Sequence, residues 1–156
     1  MAFDPSNPHL DDTDWAILAE LQADGRLGFS ELGRRVSLSA PAVTERVRRL
    51  ESAGVITGYR AVVAPAKVGL PIESVIRVAD HQSRIAAILP ELPEVLEAMH
   101  VTGDDCWVLR VVVTDMAHLE AVVARLGRYG ATTTSMVFSA PVRDAPVVRP
   151  APAGGG

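Results

Sequence analysis

The segment of residues 37–63, SLSAPAVTERVRRLESAGVITGYRAVV, limits the possible folds of this chain more than any other. Ser39 is a typical helix N-cap, Pro41 suits the first turn of a helix, and Gly54 is typical of a helix end. Three apolar residues between them recur at helical spacing: Val43, Val47 and Leu50. The segment therefore predicts an amphipathic helix with one buried stripe.

The opposite face of this helix carries small and polar side chains near its start and arginines further along. Short side chains let the first turns of a helix enter the major groove of DNA, and arginines reach phosphates or guanine edges. The preceding SELGRRVSL predicts a short partner helix, so the two form a helix-turn-helix. We expect DNA contacts from one set of residues: Ser39, Pro41, Ala42, Thr44, Glu45, Arg46, Arg48, Arg49 and Arg35.

The distribution of charge favours DNA binding, although the chain as a whole is acidic, with a net charge of −4. Residues 26–60 contain seven arginines and three glutamates, which gives +4 there and leaves −8 for the remainder. A basic module joined to an acidic one is expected when only one half meets an anionic partner. Charge alone leaves open the alternative of a solvated helix surface rich in salt bridges.

A further helix precedes this pair, and a strand follows it. LDDTDWAILAELQADGR has aspartates at its start, apolar residues at helical spacing and a glycine near its end. VITGYRAVVAP is rich in β-formers and predicts a strand, either of a winged-type helix-turn-helix or linking to another domain. APAKVGLP then predicts a hinge because of its proline and glycine.

The second half alternates strands and helices in the order β-α-β-β-α-β. Strands are predicted at IESVIRVAD, VLEAMHVTG, CWVLRVVVTD and ATTTSMVFSAPV, and helices at QSRIAAILPEL and MAHLEAVVARLGRYG. This order predicts a ferredoxin-like antiparallel sheet with both helices on one face, and hence an α+β fold. Because both faces of the strands contain apolar residues, we expect a second subunit to cover the other face in a homodimer.

These patterns divide the chain into five parts. They are an N-terminal tail (1–10), a helix-turn-helix domain (11–54), a linking strand and hinge (55–70), a ferredoxin-like domain (71–142) and a flexible tail (143–156). The last part is rich in proline, glycine and alanine, a composition that predicts disorder beyond Val148.

Several other classes of protein are disfavoured. No basic segment followed by an apolar run opens the sequence, and no apolar stretch approaches membrane-spanning length. The single cysteine, Cys106, fits a reducing cytoplasm. No histidine is sequence-paired with it as a catalytic base, and neither zinc-ligand spacing nor a glycine-rich nucleotide loop occurs. We therefore expect a cytoplasmic protein that is not an enzyme and needs no cofactor.

Three segments and their order resemble the Lrp/AsnC (feast/famine) family of transcriptional regulators. They are LDDTDWAILAELQADGR, LSAPAVTERVRRLESAGVITGYRAVV and VTGDDCWVLRVVVTD, and the resemblance covers residues 10–142. It implies a cytoplasmic regulator that binds double-stranded DNA and carries a RAM- or ACT-like second domain. It also implies dimers formed through the second-domain sheets, further assembly into octamers, and an amino-acid effector.

The resemblance also implies an effector site. The family's turn between the middle strands usually reads glycine, any residue, aromatic, aspartate, aromatic. Here Cys106 replaces the aspartate and Asp105 the first aromatic, so the carboxylate that binds an ammonium group would come from Asp104 or Asp105. Hydroxyls of the last strand would help to bind a carboxylate. The expected residues are Met99, Val101, Gly103, Asp104, Asp105, Cys106, Trp107, Thr132, Thr133, Thr134 and Ser135.

The residues alone leave two more modest interpretations open. The acidic turn is also compatible with a solvated hairpin, and the threonines with simple strand propensity. A ferredoxin-like module that binds a small molecule or directs assembly, with a helical half that contacts protein rather than DNA, is the alternative function. A steep salt dependence of DNA binding would distinguish the two functions.

Overall fold

The computed structural model describes residues 9–104 and 106–151. The chain forms two compact units by its contacts: a helical unit that contains residues up to Ala61 and those from Val142 onward, and a sheet unit, Val62–Pro141. The domain limits expected from the sequence, at residues 54, 70 and 142, stay predictions. Among the described residues, no helix is long and apolar enough to span a membrane.

The helical unit contains three α-helices: α1 (Asp12–Ala23), α2 (Phe29–Arg35) and α3 (Ala40–Ser52). Side chains cap two of them. Asp11 accepts a hydrogen bond from the Asp14 amide at 2.8 Å in a reciprocal capping box, and Ser39 accepts one from the Ala42 amide at 3.4 Å. The N-cap of α2 is Gly28, because this helix begins at Phe29, one residue before the segment SELGRRVSL that predicted it.

The apolar stripe predicted for α3 forms the centre of the helical unit. Its three residues pack with Ile17 and Leu18 of α1 and Leu32 of α2, and all six are buried. Burial of a valine or leucine side chain contributes about 1.5–3 kcal/mol relative to exposure. The turn between α2 and α3 is tight: Ser37 has a φ of 58°, and a Cβ added to Gly33 would lie 2.6 Å from the Leu38 carbonyl oxygen.

The strand expected after α3 does not form. The Val55 and Ile56 amides both donate to the Leu50 carbonyl at the end of α3, and residues 57–64 contain no strand. A strand requires a neighbour that satisfies its backbone groups, and the described part of the chain provides none here. The linking segment keeps its β-forming side chains exposed, including Val62 and Val63, and no wing follows the helix-turn-helix.

The sheet unit contains four strands: β1 (Ile72–Val78), β2 (Val95–His100), β3 (Trp107–Val113) and β4 (Thr132–Met136). Their order across the sheet is β2-β3-β1-β4, and all neighbours are antiparallel. The helix α4 (Met116–Leu126) follows β3 and is capped by Asp115, whose carboxylate accepts from the His118 amide at 2.8 Å. The order of the strands is that expected of a ferredoxin-like unit.

The segment QSRIAAILPEL does not form the α-helix that was expected there, and that prediction was wrong. Two short 3-10 turns, Arg84–Ala87 and Leu89–Glu91, replace it. Pro90 has no amide proton and disfavours helical geometry in the residue before it. At the start of the segment, the buried Asp80 carboxylate accepts the Ile85 amide at 2.6 Å, which fixes a turn there.

The core of the sheet unit lies on one face of the sheet. Its fully buried residues include Ile76 and Val78 of β1, Leu109, Val111 and Val113 of β3, and Leu126 of α4. The opposite face carries half-buried residues of β1 and β3: Glu73, Val75, Arg77, Val108 and Arg110. Arg110 lies there between two carboxylates, 3.4 Å from Glu73 and 3.6 Å from Glu97. We call this the open face of the sheet.

Candidate nucleic-acid interface and effector site

The outward face of α3 presents the residues expected to contact DNA. Pro41, Glu45 and Arg48 are exposed, as is the capping residue Ser39. Arg48 forms no ion pair among the described residues, so its guanidinium group is available to a phosphate or a base. Thr44 is half-buried, and its hydroxyl donates to the Ala40 carbonyl at 2.8 Å within the helix.

Arg46 and Arg49, also expected to contact DNA, are bound to carboxylates of the first helix. Arg49 Nη2 lies 2.7 Å from each oxygen of Asp14, and Arg46 Nη1 lies 2.8 Å from Asp14 and 2.7 Å from Asp11. The Asp14 side chain is fully buried. A buried carboxylate is stable only when paired, so these arginines join α3 to α1.

The electrostatic effect of this cluster is visible in the neighbouring groups. Its hydrogen bond to Asp11, and to a smaller extent that to Asp14, raises the pKa of Arg46 above its ordinary value. For Asp11, burial favours the neutral form, but the hydrogen bond from the Asp14 amide and the Arg46 guanidinium together outweigh it and lower its pKa. Both groups are therefore charged at neutral pH.

Arg35 of α2 is also paired. Its guanidinium group lies 2.9 Å from Glu31 and 2.8 Å from Glu20, and Arg34 binds the same Glu31 at 2.7 Å. The hydrogen bonds from Arg34 and Arg35 lower the pKa of Glu31 to about 2. Of the five arginines of α2 and α3, Arg48 alone is without an ion pair in the described part of the chain.

The turn between β2 and β3 forms a tight hairpin. The Val101 amide donates to the Cys106 carbonyl at 2.6 Å, and Gly103 and Cys106 have φ values of 109° and 49°. Asp104 is exposed in this turn. Asp105, also expected to bind an effector, lies outside the described residues. The hairpin thus presents one described carboxylate to solvent.

The residues after the turn are directed inward. Cys106 is buried, and its Sγ lies 3.1 Å from Nδ1 of His81. Trp107 is buried too, and its ring stacks on that of His100 at a centroid distance of 4.7 Å. Its indole nitrogen is buried and has no hydrogen-bond partner in the part of the chain that the structure describes. The Cys106 thiol therefore contacts the His81 side chain and is not directed toward solvent.

The turn and β4 lie at the same end of the sheet but are not neighbours. Trp107 pairs with Val78 of β1, and Thr133 of β4 pairs with Arg77. With β1 between them, β3 and β4 are about 10 Å apart, two interstrand spacings. The expected effector residues also divide between faces. Met99, Thr133 and Ser135 belong to the open face, whereas Trp107, Thr132 and Thr134 belong to the helix-covered face.

Comparison with known proteins identifies both units. Residues 10–51 match the AsnC-type helix-turn-helix domain, and residues 75–147 match the Lrp/AsnC ligand binding domain. The HTH-type transcriptional regulator LrpC of Bacillus subtilis is 36% identical over 134 residues, 83% of this chain and 92% of that protein. The HTH-type transcriptional regulator Rv2324 of Mycobacterium tuberculosis is 42% identical over 121 residues, 75% of this chain and 82% of that protein.

This chain belongs to the Lrp/AsnC family.

Solved structures of similar transcriptional regulators share the fold of this Lrp/AsnC protein. That of Bacillus subtilis LrpC has a TM-score of 0.80 and 34% identity, and covers 84% of this chain and 96% of its own. The Neisseria meningitidis transcriptional regulator NMB0573, in complex with L-Met, has a TM-score of 0.82 and 33% identity over 88% of this chain and 96% of its own. A feast or famine regulatory protein of Mycobacterium tuberculosis, complexed with L-methionine, has a TM-score of 0.84 and 34% identity. The match covers 90% of this chain and 99% of that protein.

The assignment made from the sequence is thereby confirmed. The chain is a helix-turn-helix transcriptional regulator of the Lrp/AsnC family and not an enzyme, and its α+β fold combines the helix-turn-helix with a four-stranded antiparallel sheet. The individual DNA-binding and effector-binding residues stay predictions.

Three groupings of this Lrp/AsnC protein were missed by sequence reasoning. Asp14 was noted only as one of several acidic residues at a helix start, and nothing local marks it as the buried partner of two arginines. His81 is 25 positions from Cys106, and no spacing rule connects them. His118 accompanies Glu94 at 3.0 Å and the Thr114 hydroxyl at 3.1 Å. Each grouping contains residues more than 20 positions apart in the sequence, so a local pattern does not reveal it.

Proposed function

We propose that this regulator acts in the cytoplasm and binds double-stranded DNA as a two-fold dimer, with α3 in the major groove. The observation that carries the proposal is the outward face of α3, where Arg48 is exposed beside Pro41 and Glu45 and has no ion-pair partner among the described residues. The buried Asp14 cluster supports it, because it fixes the orientation of α3 through Arg46 and Arg49. A rigid helix loses little freedom on binding.

A salt series with duplex DNA tests this proposal. Fluorescence anisotropy with a labelled duplex of mixed sequence should show binding that weakens steeply as salt rises, because arginines that contact phosphates release counterions. Absence of binding at low salt, or binding insensitive to salt, would contradict a DNA-binding role and favour a protein-contact role for the helices.

The open face of the sheet supports assembly into a dimer. It exposes Val75 and Val108 in part, and its central charge, Arg110, is already neutralised by Glu73 and Glu97. A second copy could therefore cover this face without leaving Arg110 as an unpaired buried charge. Two copies related by a two-fold axis also suit palindromic half-sites about one helical turn apart. A monomer found by light scattering at micromolar concentration would exclude this arrangement.

The effector we propose is an amino acid bound at the turn before β3 and at β4, with assembly to octamers of four dimers. Two Lrp/AsnC relatives were solved with methionine, which supports this ligand class. An amino acid needs a carboxylate for its ammonium group and neutral donors for its carboxylate. Asp104 and the hydroxyls of residues 132–135 provide both, and no cofactor is required.

Subunit contacts would complete such a site. Within one chain the two patches are separated by β1 and divided between faces, so a ligand of amino-acid size would contact both only across an interface between copies. A ligand bound at an interface favours the oligomer that forms the complete site. Calorimetry against the common amino acids tests the proposal. No heat with any of them, or binding unchanged in an Asp104→Ala/Asp105→Ala/Thr134→Val variant, would contradict the site.

A further inference from the structure

We propose that a groove on the helical unit is a docking site for an extended peptide segment, and that its occupant is this chain's own C-terminal strap, residues 142–151. The groove has a volume of about 270 Å³ and is formed by α1 and the segment that follows α3. Its lining is mainly apolar and includes Leu10, Trp15, Leu18, Leu21, Ile56 and Tyr59. Val147 of the strap lies at this groove.

Gln22 binds the backbone of the strap at two points. Its side-chain amide donates to the Val147 carbonyl at 3.0 Å, and its carbonyl oxygen accepts the Val147 amide at 2.7 Å. This paired contact imitates the exchange of hydrogen bonds between residues of neighbouring β-strands. Gln22, near the end of α1, therefore binds the backbone of the strap and would do so whatever side chain residue 147 carried.

Two ion pairs of opposite sense flank this contact. Arg149 of the strap binds Asp12 at the start of α1, and Asp144 lies 3.8 Å from Arg60 of the linking segment. A strap bound in the reverse direction would bring like charges together at both positions, which is unfavourable. The charges therefore specify the direction of the strap, and Gln22 specifies its position.

The strap is held weakly enough to exchange. Val147 keeps 72% of its surface exposed, and both ion pairs are exposed, so each contact contributes little. Connection through the same chain raises the effective concentration of the strap at the groove and compensates for weak contacts. No residue of α3 lines the groove, so docking leaves the proposed DNA-binding face free. Docking instead restrains the linking segment at residues 55–59.

Amide hydrogen exchange of the full chain, followed by NMR, tests the strap directly. The Val147 amide is bound to Gln22, whereas the neighbouring Val148 amide has no acceptor among the described residues, which makes it an internal control. After correction for intrinsic rates, Val147 should exchange several-fold more slowly than Val148. Gln22→Ala should abolish this difference, and Gln82→Ala, at an exposed glutamine of the sheet unit, should preserve it.

Further arms of the experiment separate the possible occupants. Arg149→Glu should reduce the protection of Val147, because it places a carboxylate beside Asp12. Protection that is unchanged on dilution supports a strap bound within one chain, and protection lost on dilution would assign the occupant to a second copy and overturn the proposal. Equal exchange of Val147 and Val148 in the parent, or protection retained in Gln22→Ala, would also overturn it. DNA affinity measured in parallel should be unaltered in Gln22→Ala, which distinguishes this proposal from DNA binding.

Discussion

Both carboxylate oxygens of Asp14 lie 2.7 Å from Nη2 of Arg49, and the Asp14 side chain is fully buried. The pair joins the first helix to the helix proposed to read DNA, and Arg46 reinforces it at 2.8 Å. Removal of one partner from a buried ion pair typically costs about 3–5 kcal/mol, because the remaining charge loses its compensation. This relationship makes the stability of the helical unit dependent on one carboxylate.

Asp14→Ala should therefore destabilise the helical unit strongly. We expect a loss of about 1.5–3 kcal/mol in the free energy of unfolding, measured by urea denaturation, because the helix loses its charged hydrogen bonds. The loss stays below that for a stranded buried charge, since the side chains of Arg46 and Arg49 are 27% and 39% exposed and can be solvated. Glu45→Ala is the matched control, since Glu45 is an exposed acid of α3 without an ion pair among the described residues; its effect on stability should be below about 0.5 kcal/mol. Equal stability of the two variants would show that the Asp14 cluster contributes little.

Arg48→Ala and Arg49→Ala should behave differently, although the sequence suggested similar roles. Arg48→Ala should weaken binding to all duplexes and reduce the salt slope by about one, with stability unchanged, because Arg48 is exposed and unpaired. Arg49→Ala should lower the free energy of unfolding by about 1.5–3 kcal/mol, because Asp14 loses a charged hydrogen-bond partner. Anisotropy and urea denaturation of both variants check this. The assignment fails if Arg48→Ala binds DNA as tightly as the parent at every salt concentration.

Gly33→Ala should destabilise the helix-turn-helix despite the usual preference of helices for alanine. The added Cβ would lie 2.6 Å from the Leu38 carbonyl oxygen, so the turn must shift, at a cost of about 1–3 kcal/mol. Gly25→Ala is the control, because its Cβ would meet its nearest neighbour at an ordinary 3.7 Å. Thermal denaturation should show a lower midpoint for Gly33→Ala than for Gly25→Ala, and the reverse order would contradict the close approach.

The Glu31 ion pairs predict a specific response to acid. The pKa of Glu31 falls from 4.5 to about 2 in the folded chain, chiefly through its hydrogen bonds to Arg34 and Arg35. A group whose pKa is lowered on folding stabilises the fold above its unfolded pKa and ceases to do so as pH falls through the folded value. Glu31→Gln should therefore flatten the decline of stability between pH 4.5 and about 2, as measured by urea denaturation at several pH values. An unchanged decline would indicate that solvent screens these exposed pairs completely.

The sequence predicted the helices and strands whose signals are local. A group of aspartates marked the start of α1, and Ser39 marked that of α3. The spacing of Val43, Val47 and Leu50 marked the buried side of α3. Alternation of apolar residues likewise marked β1 and β3, which bury one face against the core of the sheet unit. These features depend only on residues a few positions apart.

The features that were not predicted depend on distant parts of the chain or on another copy. The linking segment has a strand-like composition but finds no partner within the described residues, so composition alone overestimated its order. The segment before β2 has helical spacing, yet Pro90 and the Asp80 turn favour 3-10 geometry. The ion pairs of Arg46 and Arg49 with Asp14 could not be predicted from local patterns, because Asp14 is 32 and 35 positions away from them.

Because of the Asp14 cluster, different residues of α3 anchor the helix and face outward. Arg46 and Arg49 anchor α3, while Pro41, Glu45 and Arg48 face outward and take no part in the core. Under the proposed mode of DNA binding, substitutions at the outward positions would alter operator preference without loss of the fold, since the anchoring charges and the apolar stripe remain. Gene duplication followed by change at these few positions is thus a short route from one regulator of this kind to another with different target genes.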